Sequence, residues 1–204
     1  MSEIKKIKYE RLEGYEVKRD DNEVLDIFAS IFTLKNIIRT GWVKYHGIKK
    51  EVAESVADHS FSTTVLAYLF AKKWRQDLDA DKVLKMTLFH EFAEVYAGDI
   101  PMRDFPDLDE KRKLERDSFE QVFLKFGNLG NEIFNLWEEM EDEKTPEAKF
   151  VVQFDKFEAV LQAYLYKKEG AGMVDYLSFI ELSEGKFFDK EILDLIKRLK
   201  QKSG

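Results

Sequence analysis

The residues of this sequence with the clearest chemical potential are His90 and the acids that follow it. Residues 90–94 read HEFAE and Asp99 comes soon after, so one imidazole and three carboxylates fall within ten residues. Imidazole nitrogen and carboxylate oxygen are common protein ligands of first-row divalent metals. The only histidines of the chain are His46, His59 and His90. The stretch therefore predicts a metal site.

The spacing of these residues indicates which side chains share that site. On a helix, His90 and Glu94 project from the same face, and Glu91 lies beside them. His59, at the start of a preceding helical pattern, supplies a second imidazole if the two helices pack side by side. Asp155 is the fourth candidate, because an acid in a strongly apolar helix is seldom tolerated unless it is paired or bound to metal.

Some of these residues have alternative interpretations. Asp155 could instead form a buried salt bridge with Arg39 or a lysine. Glu91 could be solvated or paired with a lysine, since structural ion pairs imitate sites. We interpret His46, which lies outside the matching segments described below, as structural or exposed and leave it out of the site.

Two imidazoles with carboxylates suit Mn, Fe, Co, Ni or Zn; Mg is retained as a further possibility, and spacing alone does not choose among these ions. The chain has no cysteine, which excludes thiolate ligands, disulfides and a cysteine nucleophile. A divalent ion lowers the pKa of bound water and polarises a phosphoryl oxygen. Hydrolysis of a phosphoester or phosphoanhydride is the natural chemistry of such a site.

Composition indicates a soluble, helix-rich protein of 204 residues, which we expect to form a single domain over 1–204. Charged residues make up 36% and hydrophobic residues 44%, with ten glycines and three prolines. The net charge of −7 argues against a general nucleic-acid groove, which needs clustered Lys and Arg. The longest nearly unbroken apolar run, 65–71, is too short to span a membrane. Residues 1–8 do not resemble a secretory signal, so we expect a cytoplasmic protein.

Apolar residues recur at three- and four-residue spacing almost throughout, which predicts an all-α fold. Asp79 is a plausible N-cap, and Thr145 followed by Pro146 is a second helix start signal. The predicted helices are 22–38, 55–77, 80–97, 109–126, 129–141, 145–168, 173–184 and 188–201. Loops are expected at 39–54 and 98–108, next to the proposed site.

Five segments of the chain resemble the HD-domain superfamily of metal-dependent phosphohydrolases, and specifically its 5′-deoxynucleotidase branch. They are 39–42 (RTGW), 54–60 (ESVADHS), 90–94 (HEFAE), 98–101 (GDIP) and 155–164, which contains DKFE and LQAY. They follow the order of that branch and span about 36–166. The resemblance implies a single-domain HD-domain helical bundle, with the C-terminal helices at 170–204 outside the matched core.

The resemblance also assigns roles to individual residues. It implies that the metal ligands are His59, His90, Glu91 and Asp155. Glu94 matches the acid that handles the proton of the attacking water. The branch has Asp where this chain has Glu91, so metal distance, affinity or selectivity can differ from the branch pattern.

Three further residues match substrate contacts of the branch. Arg39 matches a phosphate ligand, which suits its charged guanidinium fork. Trp42 matches a residue that packs near the nucleotide, and Asp99 matches the carboxylate that engages the sugar and disfavours a ribose. Trp42 could instead be a core residue, and Asp99 could be a turn residue after Gly98.

The expected function is hydrolysis of deoxyribonucleoside 5′-monophosphates to deoxynucleoside and phosphate. One alternative is an HD phosphohydrolase that acts on a nucleoside triphosphate, a cyclic nucleotide or an alarmone. Another alternative is a catalytically weakened HD protein that binds metal or nucleotide. The replacement of the usual Asp by Glu91 is the feature that would indicate the weakened activity. The resemblance implies a homodimer, and the 17 phenylalanines make an apolar subunit contact plausible.

Overall fold

The computed structural model describes residues 21–105 and 107–202, and within them the regular structure is helical apart from one isolated bridge between Ile38 and Ser55. The α-helices are α1 (Glu23–Asn36), α2 (Thr40–His46), α3 (Val56–Trp74), α4 (Ala80–Phe89), α5 (Glu94–Ala97), α6 (Leu108–Phe123), α7 (Gly127–Glu141), α8 (Pro146–Glu169), α9 (Tyr176–Leu182) and α10 (Lys190–Gln201). Short 3₁₀ turns occupy Met102–Asp104 and Leu124–Phe126. The predicted all-α fold is confirmed.

Side-chain caps determine where several of these helices begin. Asp79 accepts hydrogen bonds from the second and third residues of α4, as the sequence predicted. Thr145 caps α8 in the same way, with Pro146 at its first position. At α3, Ser55 and Asp58 form a capping box, in which each side chain accepts the other's backbone N–H. This cap fixes the turn that carries His59.

The core lies around α8, the longest helix, which packs against α3, α4, α7 and α9. Phe150, Phe154 and Phe157 are fully buried along it. Helices α3 and α4 pack closely against each other. The packing brings the start of α3, the end of α4 and the middle of α8 to one place.

Two differences from the predicted elements lie next to the cluster of His59 and His90. The predicted loop 39–54 contains α2, a seven-residue helix without a side-chain cap, whose N-terminal turn includes Gly41. The predicted helix 80–97 ends at Phe89, and four turn residues separate it from α5. In this turn the backbone N–H groups of Phe92 and Glu94 bond three residues back rather than four, which tightens the chain after His90.

None of the helices in the described part of the chain is long and apolar enough to cross a membrane. Residues 1–8, on which the absence of a signal was judged, and Pro106, in the second predicted loop, lie outside the described residues. The single domain over 1–204 and the cytoplasmic location stay predictions.

Candidate metal centre

His59 lies in the second turn of α3 and is completely buried. It continues a buried stripe at four-residue spacing with Thr63, Ala67 and Ala71, so the helix period points its ring into the core. The ring Nδ1 lies 2.6 Å from Glu158 Oε2 of α8. Since a carboxylate accepts, Nδ1–H donates there, and Nε2 is the ring atom directed at the centre.

His90 comes from the tight turn after α4 rather than from the predicted continuous helix. Its Nδ1 lies 2.7 Å from the backbone oxygen of Thr87, which can only accept, so this nitrogen also donates. Its Nε2 lies 3.4 Å from Nε2 of His59. The two Nε2 atoms therefore face each other, although the predicted continuous helix was wrong.

Two carboxylates complete the cluster. Glu91 Oε1 lies 3.4 Å from Nε2 of His59 and 3.5 Å from Nε2 of His90. Asp155 Oδ1, from α8, lies 3.1 Å from Nε2 of His59. One ligand atom from each of the four residues lies within 4.8 Å of every other. The structure therefore brings together all four residues proposed from the sequence as metal ligands.

These separations fit a shared ion. Ligand atoms that each lie about 2 Å from one metal are separated from one another by roughly 3 Å. The donor set of two imidazoles and two carboxylates is one that first-row divalent ions accept. The cluster is thus a buried His, Glu and Asp group suited to a divalent metal ion.

The electrostatics of the cluster also favour a cation. Burial and the charge of Arg39 would lower the pKa of His59, but hydrogen bonds with Asp155, Glu158 and Glu91 outweigh them and raise it well above its ordinary value. Burial would raise the pKa of Glu91, yet His90, His59 and Arg39 hold it below its usual range. The surrounding carboxylates therefore stabilise a proton on His59, and they would stabilise a metal cation beside its ring in the same way.

Asp155 makes a second contact that was an open alternative from the sequence. Its Oδ2 lies 2.8 Å from Nζ of Lys156, while its Oδ1 faces His59. Burial would raise the pKa of Asp155, but Lys156 and the histidines lower it well below its ordinary value. Asp155 therefore pairs with Lys156 through Oδ2 and takes part in the cluster through Oδ1.

A second layer of acids lies behind His59, and the sequence reasoning assigned it no role. Glu54 and Glu158 are both buried, and each brings a carboxylate oxygen close to the ring of His59. Burial first, and then the charge of Glu158, raises the pKa of Glu54 to about 7. Glu158 lies three residues after Asp155 on the same apolar helix, so the argument applied to Asp155 also applies to it.

Arg39 and Asp99 form the neighbouring wall of the site. Arg39 Nη1 lies 2.9 Å from Glu91 Oε1 and 3.6 Å from Asp99 Oδ1. Asp99 accepts a hydrogen bond from the backbone N–H of Thr40, and its backbone oxygen accepts one from Thr40 Oγ1 at 3.0 Å. The start of α2 and the segment after α5 are thereby held together beside the cluster.

Glu94 opens α5 and is buried, and its Oε2 has no hydrogen-bond partner among the described residues. Burial, followed by the charges of Glu91 and Asp99, raises its pKa well above the ordinary value. Ser118 of α6 holds this turn, since its hydroxyl donates to the backbone oxygen of Ala93 and accepts from the N–H of Tyr96. Glu94 is thus a fixed carboxyl group next to the cluster with one oxygen available.

Trp42 is a core residue in this structure, which is one of the two alternatives left by the sequence. Its ring stacks on Phe179 and meets the edge of Tyr166, and its Nε1–H donates to Glu54 Oε1 at 2.7 Å. His46 packs against the same rings of Trp42 and Phe179, apart from the cluster. Contact between Trp42 and a substrate stays a prediction.

Comparison with known proteins places this arrangement in a class. The family model described as an HD domain matches residues 31–192, which include every residue of the cluster. The chain belongs to the HD-domain family. Its fold is also that of solved structures: a conserved hypothetical protein from Pyrococcus furiosus superposes with a TM-score of 0.71 at 26% identity, covering 87% of this chain and 99% of that protein.

Curated relatives within this class carry one common description. The chain is 37% identical over 172 residues to the 5′-deoxynucleotidase HDDC2 of Dictyostelium discoideum, covering 80% of this chain and 89% of the relative. It is 34% identical over 183 residues to the 5′-deoxynucleotidase HDDC2 of Danio rerio, covering 88% of each. These relatives therefore match almost the whole of their length.

Proposed function

We propose that this protein is a metal-dependent 5′-deoxynucleotidase, which hydrolyses deoxyribonucleoside 5′-monophosphates to deoxynucleoside and phosphate. The observation that carries the proposal is the buried cluster of His59, His90, Glu91 and Asp155 in a chain similar along most of its length to 5′-deoxynucleotidases. The four side chains would hold one divalent ion from Mn, Co, Fe, Ni, Zn or Mg. When bound, the ion lowers the pKa of a water molecule and withdraws charge from the phosphate.

The protein's own residues then orient the substrate. Arg39 presents a guanidinium group between Glu91 and Asp99, and this fork is the group best suited to phosphate oxygens. Charge developing on those oxygens is stabilised by a donor already held in place by its ion pairs. We assign Arg39 to the phosphate on this basis.

Asp99 and Glu94 act on different parts of the reaction in this proposal. Asp99 is held by hydrogen bonds from Thr40, the residue that follows Arg39. A phosphate bound to Arg39 would therefore place the sugar of the nucleotide near the Asp99 carboxylate, where a 2′-hydroxyl would disturb these hydrogen bonds. Glu94 takes the proton from the attacking water, because its Oε2 is buried, unpartnered within the described structure and next to the cluster.

Glu91 supports an active enzyme over a weakened binding protein. One of its two carboxylate oxygens, Oε1, lies near Nε2 of both histidines and also accepts a hydrogen bond from Arg39. The carboxylate of Glu91 therefore reaches the proposed metal position and the proposed phosphate-binding arginine at the same time. A side chain shorter by one methylene would have to shift its backbone to keep both contacts. We therefore treat Glu at this position as a working ligand.

The direct test is a panel of dAMP, dCMP, dGMP, dUMP and dTMP with Mn, Co or Mg, in which released phosphate is measured. We expect release from deoxynucleotides in the presence of metal, none with chelator, and a lower kcat/KM for the matching ribonucleotides. Nucleoside triphosphates and cyclic nucleotides serve as the competing substrates. If folded protein releases phosphate from none of the five monophosphates with any of these ions, the proposal is wrong.

Glu158 is expected to position His59 for the metal. Glu158→Gln keeps an acceptor for Nδ1–H but removes the charge that makes the imidazole a better ligand, so metal affinity should fall by about 10–100-fold. Metal affinity is measured by competition with a fluorescent chelator. Glu169→Gln, an exposed change at the end of the same helix, should leave it unaltered. Equal affinity in Glu158→Gln and wild type would contradict this role.

A further inference from the structure

The cluster opens to solvent on the side where Arg39 and Asp155 lie. The side chain of His59 is fully buried, whereas those of Glu91, Arg39 and Asp155 are 15%, 20% and 20% exposed. Lys156, which follows Asp155 on α8, is 44% exposed. A phosphate that approaches the cluster from solvent would therefore meet Arg39 and Lys156 on its way.

Lys156 is a cation held in place at this opening. Its Nζ lies 2.8 Å from Oδ2 of Asp155, while Oδ1 of the same carboxylate faces Nε2 of His59. Phe154 and Phe157, on either side of this pair along α8, are fully buried, so the backbone that carries Lys156 is fixed in the core. The ammonium group therefore stands at a defined position beside a carboxylate of the cluster and still reaches water.

Each of the two carboxylates proposed as metal ligands has one cation beside it. Arg39 Nη1 lies 2.9 Å from Glu91 Oε1, and Lys156 makes the corresponding contact with Asp155. One oxygen of Glu91 lies within 4.8 Å of one oxygen of Asp155. Both cations are thus only one side chain away from the proposed metal position, where a substrate phosphate would bind.

The charges of these two cations oppose each other. Asp155 raises the pKa of Lys156 above its ordinary value, although burial and the charge of Arg39 act in the opposite direction. Lys156 is therefore charged at neutral pH, and it lies close enough to Arg39 for the two charges to repel. An anion bound between them would relieve this repulsion and would be attracted by both.

The anion that best matches two cations is a phosphomonoester. Its second pKa is about 6, so it carries two negative charges above neutral pH, whereas a phosphodiester carries one. Glu91, Asp99 and Asp155 alone bring three negative charges, which Arg39 and a divalent ion would balance. With those charges balanced, Lys156 supplies positive charge against the phosphate itself.

We propose that Lys156 is a second phosphate-binding residue, which together with Arg39 selects dianionic phosphomonoesters over phosphodiesters. This inference rests on the proposed phosphatase function, and it adds a residue that reads the charge of the substrate. The competing role for Lys156 is to hold Asp155 in place for the metal. Separate measurements of phosphate binding and metal binding distinguish the two roles.

The test compares Lys156→Gln with Lys149→Gln, an exposed change on the same helix, in Mn²⁺-loaded protein at about pH 8, where phosphate is mostly a dianion. Glutamine keeps an N–H donor for Asp155 but removes the charge. Titration calorimetry should show inorganic phosphate binding about 10-fold or more weakly to Lys156→Gln, as loss of a charged hydrogen bond predicts. The affinity for dimethyl phosphate, a monoanion, should change much less.

Three controls accompany this comparison. Lys149→Gln should bind phosphate as the wild type does, and Lys156→Arg, which keeps the charge, should retain most of the phosphate affinity. The affinity of Lys156→Gln for Mn²⁺, measured by competition with a fluorescent chelator, should stay close to that of the wild type. Circular dichroism confirms that each variant is folded.

Equal phosphate affinity in Lys156→Gln and the wild type would overturn the proposal, as would a wild type that binds no phosphate. A loss of Mn²⁺ affinity as large as the loss of phosphate affinity would show that Lys156 acts through Asp155, and would also overturn it. The proposed function fails by a different result. Protein that binds phosphate through Lys156 but releases phosphate from no deoxynucleotide would keep this binding residue and lose the nucleotidase assignment.

Discussion

Replacing His90 with alanine is expected to abolish metal binding and phosphate release together. His90 supplies one of two imidazole nitrogens that face each other at 3.4 Å, and alanine leaves a buried gap where a ligand stood. Loss of a direct ligand should exceed the roughly 10–100-fold loss of metal affinity typical of outer-shell residues. Activity should fall below detection, because the remaining groups cannot activate water without the ion.

The metal can be followed without any substrate. At an ion concentration of 100 times Kd, the wild type gains about 2.7 kcal/mol in free energy of unfolding. For a domain of this size, that gain raises Tm by roughly 5–10 °C. His90→Ala should show no such rise in Tm when metal is added, and elemental analysis should find no bound ion.

His46→Ala is the matched control for this experiment. This variant also removes an imidazole, but from the aromatic group of Trp42 and Phe179, which lies apart from the cluster. The Tm of the metal-free variant can therefore fall, while the rise in Tm on addition of metal should be the same as in the wild type. A His90→Ala protein that retains stoichiometric metal and its Tm rise would show that the ion binds elsewhere. The cluster would then lose its proposed role.

The helices were predictable from sequence because their apolar periodicity and their caps are local signals. Asp79 and Thr145 cap the helices they were predicted to cap. Helix α2 was missed since it is one short piece without a side-chain cap, held by tertiary contacts such as those of Trp42 with Tyr166 and Phe179. Tertiary packing of this kind overrides weak local propensity.

The break after Phe89 was missed for a different reason. Residues His90 and Ala93 keep right-handed helical dihedral angles, so side-chain direction continues almost as in a helix while the hydrogen bonds shift by one residue. Hydrophobic periodicity does not register that shift. His90 and Glu91 therefore still lie together in the cluster, although the helix that was predicted to carry them ends earlier.

The residues that form the cluster could be selected from the sequence, whereas their supporting contacts could not. His59, His90 and Asp155 stand out because imidazoles are rare here and an acid on an apolar helix is costly, whereas Glu91 was assigned to the metal by the family resemblance. Which nitrogen of each ring faces the centre depends on Glu158 and on the backbone oxygen of Thr87. Glu158 reaches His59 only through the packing of α3 against α8, whereas Thr87 lies three residues before His90 and meets its ring through the local course of the backbone after α4.

Glu94→Gln is expected to separate proton transfer from metal binding. The amide has almost the same shape as the carboxyl group but cannot accept the proton, so kcat should fall by about 10²–10⁴-fold. The fold should persist, because Glu94 Oε2 has no hydrogen-bond partner to lose among the described residues. Steady-state kinetics on the best deoxynucleotide of the panel measures the loss, with KM expected to change little.

The metal content of the Glu94→Gln variant shows whether its activity is lost through proton transfer or through loss of the ion. Glu94 is not among the four residues whose ligand atoms converge, so Glu94→Gln should bind the ion as the wild type does and keep its rise in Tm. Glu94→Asp restores a carboxyl group at a shorter reach and should recover part of kcat, which a merely structural role would not predict. If Glu94→Gln instead loses the metal with its activity, Glu94 is a ligand rather than the proton acceptor, and the attacking water must find its base elsewhere in the site.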